Sequence, residues 1–202
     1  MNYLAHAWLT RDTDEAILGA ILGDFVHGHA ASLHWPVTVR NEIQRHRHID
    51  RYTDTHPAVV AARALFPDGR RRFAGIVLDV FFDHLLARDW TRWNSGPGGE
   101  PSLAAFTARV YRVLLTNQDN APPRLRAIAP RMAATDWLGS YRERNNVDGA
   151  VRGIATRLSR RGEVLVACLQ DLRLHEPALE SAFEAFFPDL IRATARMGDA
   201  QA

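Results

Sequence analysis

The sequence predicts an all-α protein, a single-domain bundle of about nine or ten helices, because apolar residues recur at helical spacing while sustained period-2 alternation is absent. Proline, glycine and N-capping residues divide the chain into segments of ordinary helix length. At 202 residues, with 47% apolar and 24% charged, residues 1–202 can bury one full core as a single domain.

In order, Asn2 to Leu9 is expected to form a short apolar helix carrying His6. Thr13 or Asp14 caps a second, with Asp14 and Glu15 placed to suit its positive N-terminal end. That helix stays apolar until Asp24, and Gly28 offers a stop. Pro36 opens a third through about Asp54, and Pro57 starts a short fourth from Ala58 to Phe66. A central helix is expected from about Arg70 to Trp93, followed by the loop N-S-G-P-G-G-E-P from Asn94 to Pro101. Further helices are expected over Ser102–Leu115, Pro122–Ala133, Asp136–Arg142, Val147–Arg160, Glu163–Leu174 and Glu176–Met197.

The central helix is the chemically informative one. Ile76 to Trp90 reads I-V-L-D-V-F-F-D-H-L-L-A-R-D-W, apolar almost all round, as a buried helix is. Asp79 and Asp83 share one face of it, with His84 at that face's edge. Burying two neighbouring carboxylates is costly without a counter-charge, which either a divalent cation or arginines such as Arg45, Arg47 or Arg51 can supply. In the third helix His46, Asp50 and Asp54 recur every four residues and share a face, while His48 points elsewhere. With His6 and Asp24 these residues offer an imidazole and carboxylate set that suits Mn²⁺, Fe²⁺ or Mg²⁺. Taken singly each has a plainer reading: His6 as a core histidine, Asp24 as a cap, Asp79 and Asp83 as partners of arginine. His27, His29 and His34 read as solvated connector residues, and Trp8, Trp90, Trp93 and Trp137 as core.

Composition excludes several classes. No apolar run reaches the length of a membrane span, and the start lacks the pattern of a secretory signal. The net charge of +2 is too small to imply nucleic acid. Cys168 is the lone cysteine, consistent with a reducing cytoplasm. All 25 basic residues are arginine, each a planar fork suited to phosphate or carboxylate.

The motifs M-N-Y-L-A-H from Met1, G-D-F-V-x-G from Gly23, H-R-x-I-D-x-x-T-D from His46, P-x-V-x-x-A-R from Pro57 and L-D-V-x-x-D-H from Leu78 resemble the acyl carrier protein phosphodiesterase family. A weaker echo lies at Tyr141–Arg144 and Ser159–Arg161. The family is metal-dependent, mostly helical and distantly similar to His-Asp (HD) phosphohydrolases, although here the adjacent pair reads Asp83-His84, in reverse order.

The resemblance implies a hydrolase that removes 4′-phosphopantetheine from holo-acyl carrier protein with a divalent metal, Mn²⁺ first. It implies Asp24, His46, Asp50, Asp79, Asp83 and His84 as ligands or their supports. Asp24 or Asp54 then orients or deprotonates water, and His6 protonates the serine leaving group. Arg63 is placed to hold a phosphate, and Arg70, Arg71, Arg72, Arg157, Arg160 and Arg161 to face an acidic carrier. The competing readings are a phosphohydrolase of small phosphoesters and a helical binding module whose polar cluster is an ion-pair network.

Overall fold

The computed structural model describes residues 1–29, 34–95 and 102–199. Among them are eleven α-helices, against the nine or ten expected, one 3₁₀ turn and no strand, so the fold is all-α as the sequence predicts. The helices are α1 (Tyr3–Leu9), α2 (Asp14–Leu22), α3 (Val37–Thr55), α4 (Pro57–Ala64), α5 (Asp68–Arg88) and α6 (Trp90–Trp93). They continue with α7 (Leu103–Thr116), α8 (Pro123–Ala134), α9 (Trp137–Ser140), α10 (Arg144–Ala155) and α11 (Gly162–Asp199). Most of the expected loop after Asn94 lies outside the described residues.

Three boundaries differ from expectation. The central helix breaks at Asp89, which leaves the helical region at φ −101°, ψ 30°, so Trp90–Trp93 is a separate turn. The helix expected to end at Arg160 runs instead from Arg144 to Ala155. The last two expected segments fuse into α11, 38 residues long with Pro177 and Pro188 inside it. Proline removes a backbone donor, yet Leu172, Leu179, Phe183, Phe186, Phe187 and Leu190 continue one fully buried face past Pro177. Cross-links hold the outer face: Arg144 to Glu176 at 3.0 Å, Arg88 to Glu180 at 2.5 Å and Arg92 to Glu184 at 2.6 Å.

Helix α5 is the axis of one contiguous apolar core, with Phe82 stacked on Phe186 and tilted against Phe183 of α11. Two glycines set the other contact that matters for function. A Cβ on Gly19 would stand 2.6 Å from the Val39 carbonyl oxygen, and one on Gly23 would stand 2.2 Å from Cγ of His46. The α2–α3 pair can therefore cross closely enough to slide the His46 ring under Gly23. Gly23→Ala is expected to push that ring out of place and to lower stability, read by thermal melting.

Helix α1 is held from outside its own sequence. Asn2 makes no capping hydrogen bond, so the first amides of α1 lack a local acceptor. Asp83 supplies it from α5: its two carboxylate oxygens accept from Leu4 N at 2.8 Å and Ala5 N at 3.0 Å. Burial pushes the Asp83 carboxyl up to about 7, and the two amides pull the other way by favouring the ionised form. This anchorage fixes where His6, two residues further on, presents its ring.

Candidate active site

His46 organises the site. Its Nδ1 donates to the Ala20 carbonyl at 2.7 Å, which turns Nε2 toward Asp50 at 3.2 Å and Asp24 at 3.7 Å. A backbone carbonyl on the far nitrogen is the usual way a histidine ring is aimed at a metal. His6 stacks on His46 with ring centroids 3.8 Å apart and sets its Nε2 2.9 Å from the other Asp50 oxygen. Asp50 thus bridges two imidazoles. The donor atoms of His6, His46 and Asp50 all lie within 4.8 Å of one another, a group able to hold a metal ion. Asp79 reaches the same place from α5, because the Met1 α-ammonium sits 2.8 Å from its Oδ1 and 3.7 Å from Oδ1 of Asp50.

The charges of the group depend strongly on one another. Burial opposes charge on His46, but its hydrogen bonds and proximity to Asp24 and Asp50 win and raise it to about 9. Burial, together with the charge on the stacked His46, lowers His6 to about 4. Two stacked rings share one proton rather than carry two. Burial also opposes ionisation of Asp50, yet its bonds to His46 and His6 carry its pKa well below the usual range. Burial pushes Asp79 upward, and the Met1 ammonium and Arg63 offset this only in part. The Met1 ammonium already places one positive charge beside these acids, and the imidazole and carboxylate donors are of the kind a divalent ion takes.

Other expected residues fall around or away from this centre. Asp24 is exposed at the cleft mouth, on the turn after α2. Asp54, one turn beyond Asp50, pairs with Arg63 at 2.5 Å. The Arg63 guanidinium lies across Gly75, where a Cβ would stand 2.8 Å from Nη2, one turn before Asp79. Its Nε is buried and finds no partner among the described residues. Arg157 lines a cavity of about 490 Å³ together with Asp24, Asp79 and Arg124.

Arg71 pairs with Asp68 and Arg72 lies over the Phe73 ring, both at the N-terminal end of α5. Arg70 is pinned to Asp171 of α11. Arg160 and Arg161 are exposed between α10 and α11. The structure does not bring Asp83 or His84 to the cluster: Asp83 is spent on α1, and His84 Nδ1 donates to the Tyr141 carbonyl at 2.7 Å. Arg45 and Arg47 turn to the carbonyls of Thr194, Val26 and Gly28 rather than to Asp79 or Asp83.

Sequence reasoning missed Arg124, and it read Trp137 as core although the ring is half-buried and lines the cavity. It also missed Gly19 and Gly23, whose four-residue spacing on an apolar helix was the available signal of close helix approach.

The chain was compared with known proteins. The model of a family described as acyl carrier protein phosphodiesterase matches residues 1–190. An acyl carrier protein phosphodiesterase of Salmonella dublin is 36% identical over 196 residues, covering 97% of this chain and 98% of the relative. Those of Salmonella agona and Salmonella newport are 35% identical over the same coverage. No solved structure matches. A match across nearly the whole length, including every segment that builds the cleft, places this chain in the acyl carrier protein phosphodiesterase family.

Proposed function

We propose that the cleft hydrolyses the phosphodiester joining 4′-phosphopantetheine to the serine of holo-acyl carrier protein, releasing apo carrier. The observation that carries this reading is the convergence of His6, His46 and Asp50 into one metal-sized group, with Asp24 and Asp79 beside it. The donor set is drawn from separate helices. His6, His46 and Asp50 would hold the metal, with Asp24 and Asp79 as further carboxylates beside them, Mn²⁺ first and Mg²⁺ or Fe²⁺ as substitutes. Such an ion supplies Lewis-acid charge at the phosphoryl oxygens and acidifies water.

The chain's own residues do the rest. Asp24 sits at the mouth with its carboxylate partly desolvated, and His46 holds it ionised against that desolvation, so it can orient or take a proton from water there. His6 is fully buried and neutral near pH 7, the form that ligates a metal and steadies Asp50, and not a proton donor to the serine leaving group. Asp54 likewise acts through Arg63, aiming the guanidinium at a phosphoryl oxygen. Arg157, Arg160 and Arg161, with Arg71 and Arg72 further along, offer an acidic carrier protein opposite charge that speeds encounter and fades with salt. We assign the protein to the cytoplasm, where carrier proteins and an unpaired Cys168 both belong; no helix among the described residues is long and apolar enough to cross a membrane.

The test is a mass measurement. Metal-loaded protein is expected to lower the mass of holo carrier by one phosphopantetheine, chelator-treated protein is not, and small phosphoesters are expected to stay intact. Unchanged holo carrier at high enzyme concentration overturns the reading; turnover of small esters without carrier replaces it.

The proton on His46 gives a pH signature. Nε2 of an imidazolium cannot ligate, so metal binding must displace that proton from a group with a pKa of about 9. Apparent metal affinity is therefore expected to rise by about tenfold per pH unit up to about 9 and then to level off, measured by calorimetry in buffers of different ionisation heat.

A further inference from the structure

A second cavity, of about 730 Å³, lies against the first and shares Trp137, Tyr141 and Arg157 with it. We propose that this groove, walled by α9 and α10, receives the pantetheine arm of the substrate, the amide chain that continues from the cleaved phosphate. This rests on the hydrolase reading and names the part of the substrate that the enzyme grips.

The lining has the chemistry for such a chain. Ser140 Oγ donates to the Trp137 carbonyl at 2.7 Å, Thr156 Oγ1 to Gly153 at 2.9 Å and Thr135 Oγ1 to Arg131 at 2.9 Å. Each hydroxyl has spent its proton on the backbone, so its oxygen can only accept. Asn146 is fixed the same way, its amide nitrogen donating to the Ser140 carbonyl at 2.8 Å and its oxygen left as an acceptor. A row of acceptors suits the amide N–H groups of a pantetheine arm. The half-buried Trp137 ring gives its methyl and methylene groups an apolar wall. Among the described residues no carboxylate lines the groove, while Arg157 stands where the two cavities join, at the phosphate end of the arm.

The floor of the groove is the second observation. Gly149 and Gly153 stand one turn apart inside α10, where glycine weakens a helix. Packing does not call for them: a Cβ at either position would meet nothing within 4 Å. The buried residues Val147, Val151 and Ala155 seat α10 on the core through a different face. What the two glycines leave is open width beside Trp137 and Tyr141, continuous with the cleft of Asp24 and Asp79.

Gly153→Leu and, independently, Gly149→Leu fill that width with a better helix former and are expected to melt no lower than the parent. Two readouts follow, on metal-loaded protein. With holo carrier as substrate, each variant is expected to lose at least about tenfold in kcat/KM, because remote substrate contacts contribute to transition-state binding. With free pantetheine as the probe, the Trp137 indole and α10 amide resonances of the parent are expected to shift, and those of Gly153→Leu to stay still. Full kcat/KM in both variants, or cleavage of holo carrier without any pantetheine-induced shift in the parent, overturns the groove and leaves the hydrolase reading standing. Pantetheine shifts in a parent that leaves holo carrier intact uphold the groove and overturn the hydrolase reading instead.

Discussion

Asp50→Asn is expected to lower kcat for holo carrier by at least about 10²–10³-fold, the scale of removing one preorganised charge from an active site. Its Oδ1 faces His6 at 2.9 Å and its Oδ2 faces His46 at 3.2 Å, so both imidazoles take their orientation from one carboxylate. An asparagine can accept with one atom only, and its amide must turn N–H groups toward one ring. The substitution also removes a negative charge from the donor group, so bound metal is expected to fall below one ion per chain. The fold should hold, because the Asp50 side chain is 42% exposed and bears no core contact that asparagine cannot keep. Activity within tenfold of the parent, with metal stoichiometry intact, would remove Asp50 from the centre of the site.

How much of this was legible follows from how local each signal is. The i, i+4 pair His46 and Asp50 needs only helical periodicity, and that pair is the heart of the structural cluster. The same rule overreached on α5. Asp79 and Asp83 do share a face, but four residues are about 6 Å along a helix. That distance is enough for one acid to open on the cleft and the other to end beneath α1. Nothing in the sequence near Asp83 says that α1 lacks its own cap. His84 is decided by the Tyr141 carbonyl, 57 residues away, which no periodicity can show. The fused α11 has a similar cause: Pro177 reads as a stop locally, and burial of Leu179 and Phe183 overrides it. Resemblance to the family located the segments; tertiary contacts decided what each residue in them does.

Substitution of the two α5 acids is therefore expected to separate stability from catalysis. Asp83→Ala leaves the Leu4 and Ala5 amides buried without acceptors, at a cost of roughly 2–4 kcal/mol. For a chain of this size that lowers the melting temperature by roughly 4–16 °C, read by calorimetry. Asp83→Asn keeps one acceptor and should fall between Asp83→Ala and the parent. Asp79→Asn behaves oppositely. Burial already disfavours the charged form of Asp79, and its side chain, 37% exposed, accepts from the Met1 α-ammonium, a bond asparagine can keep, and from no helical amide. Its melting temperature is expected to stay near that of the parent while activity and metal content collapse. If Asp83→Asn instead kept its stability and lost its metal, the acid under α1 would be a ligand and the cleft would have to be redrawn around it. If Asp79→Asn kept both metal and activity, the cation would sit on the α2–α3 side with His46, Asp50 and Asp24, and α5 would only close the floor.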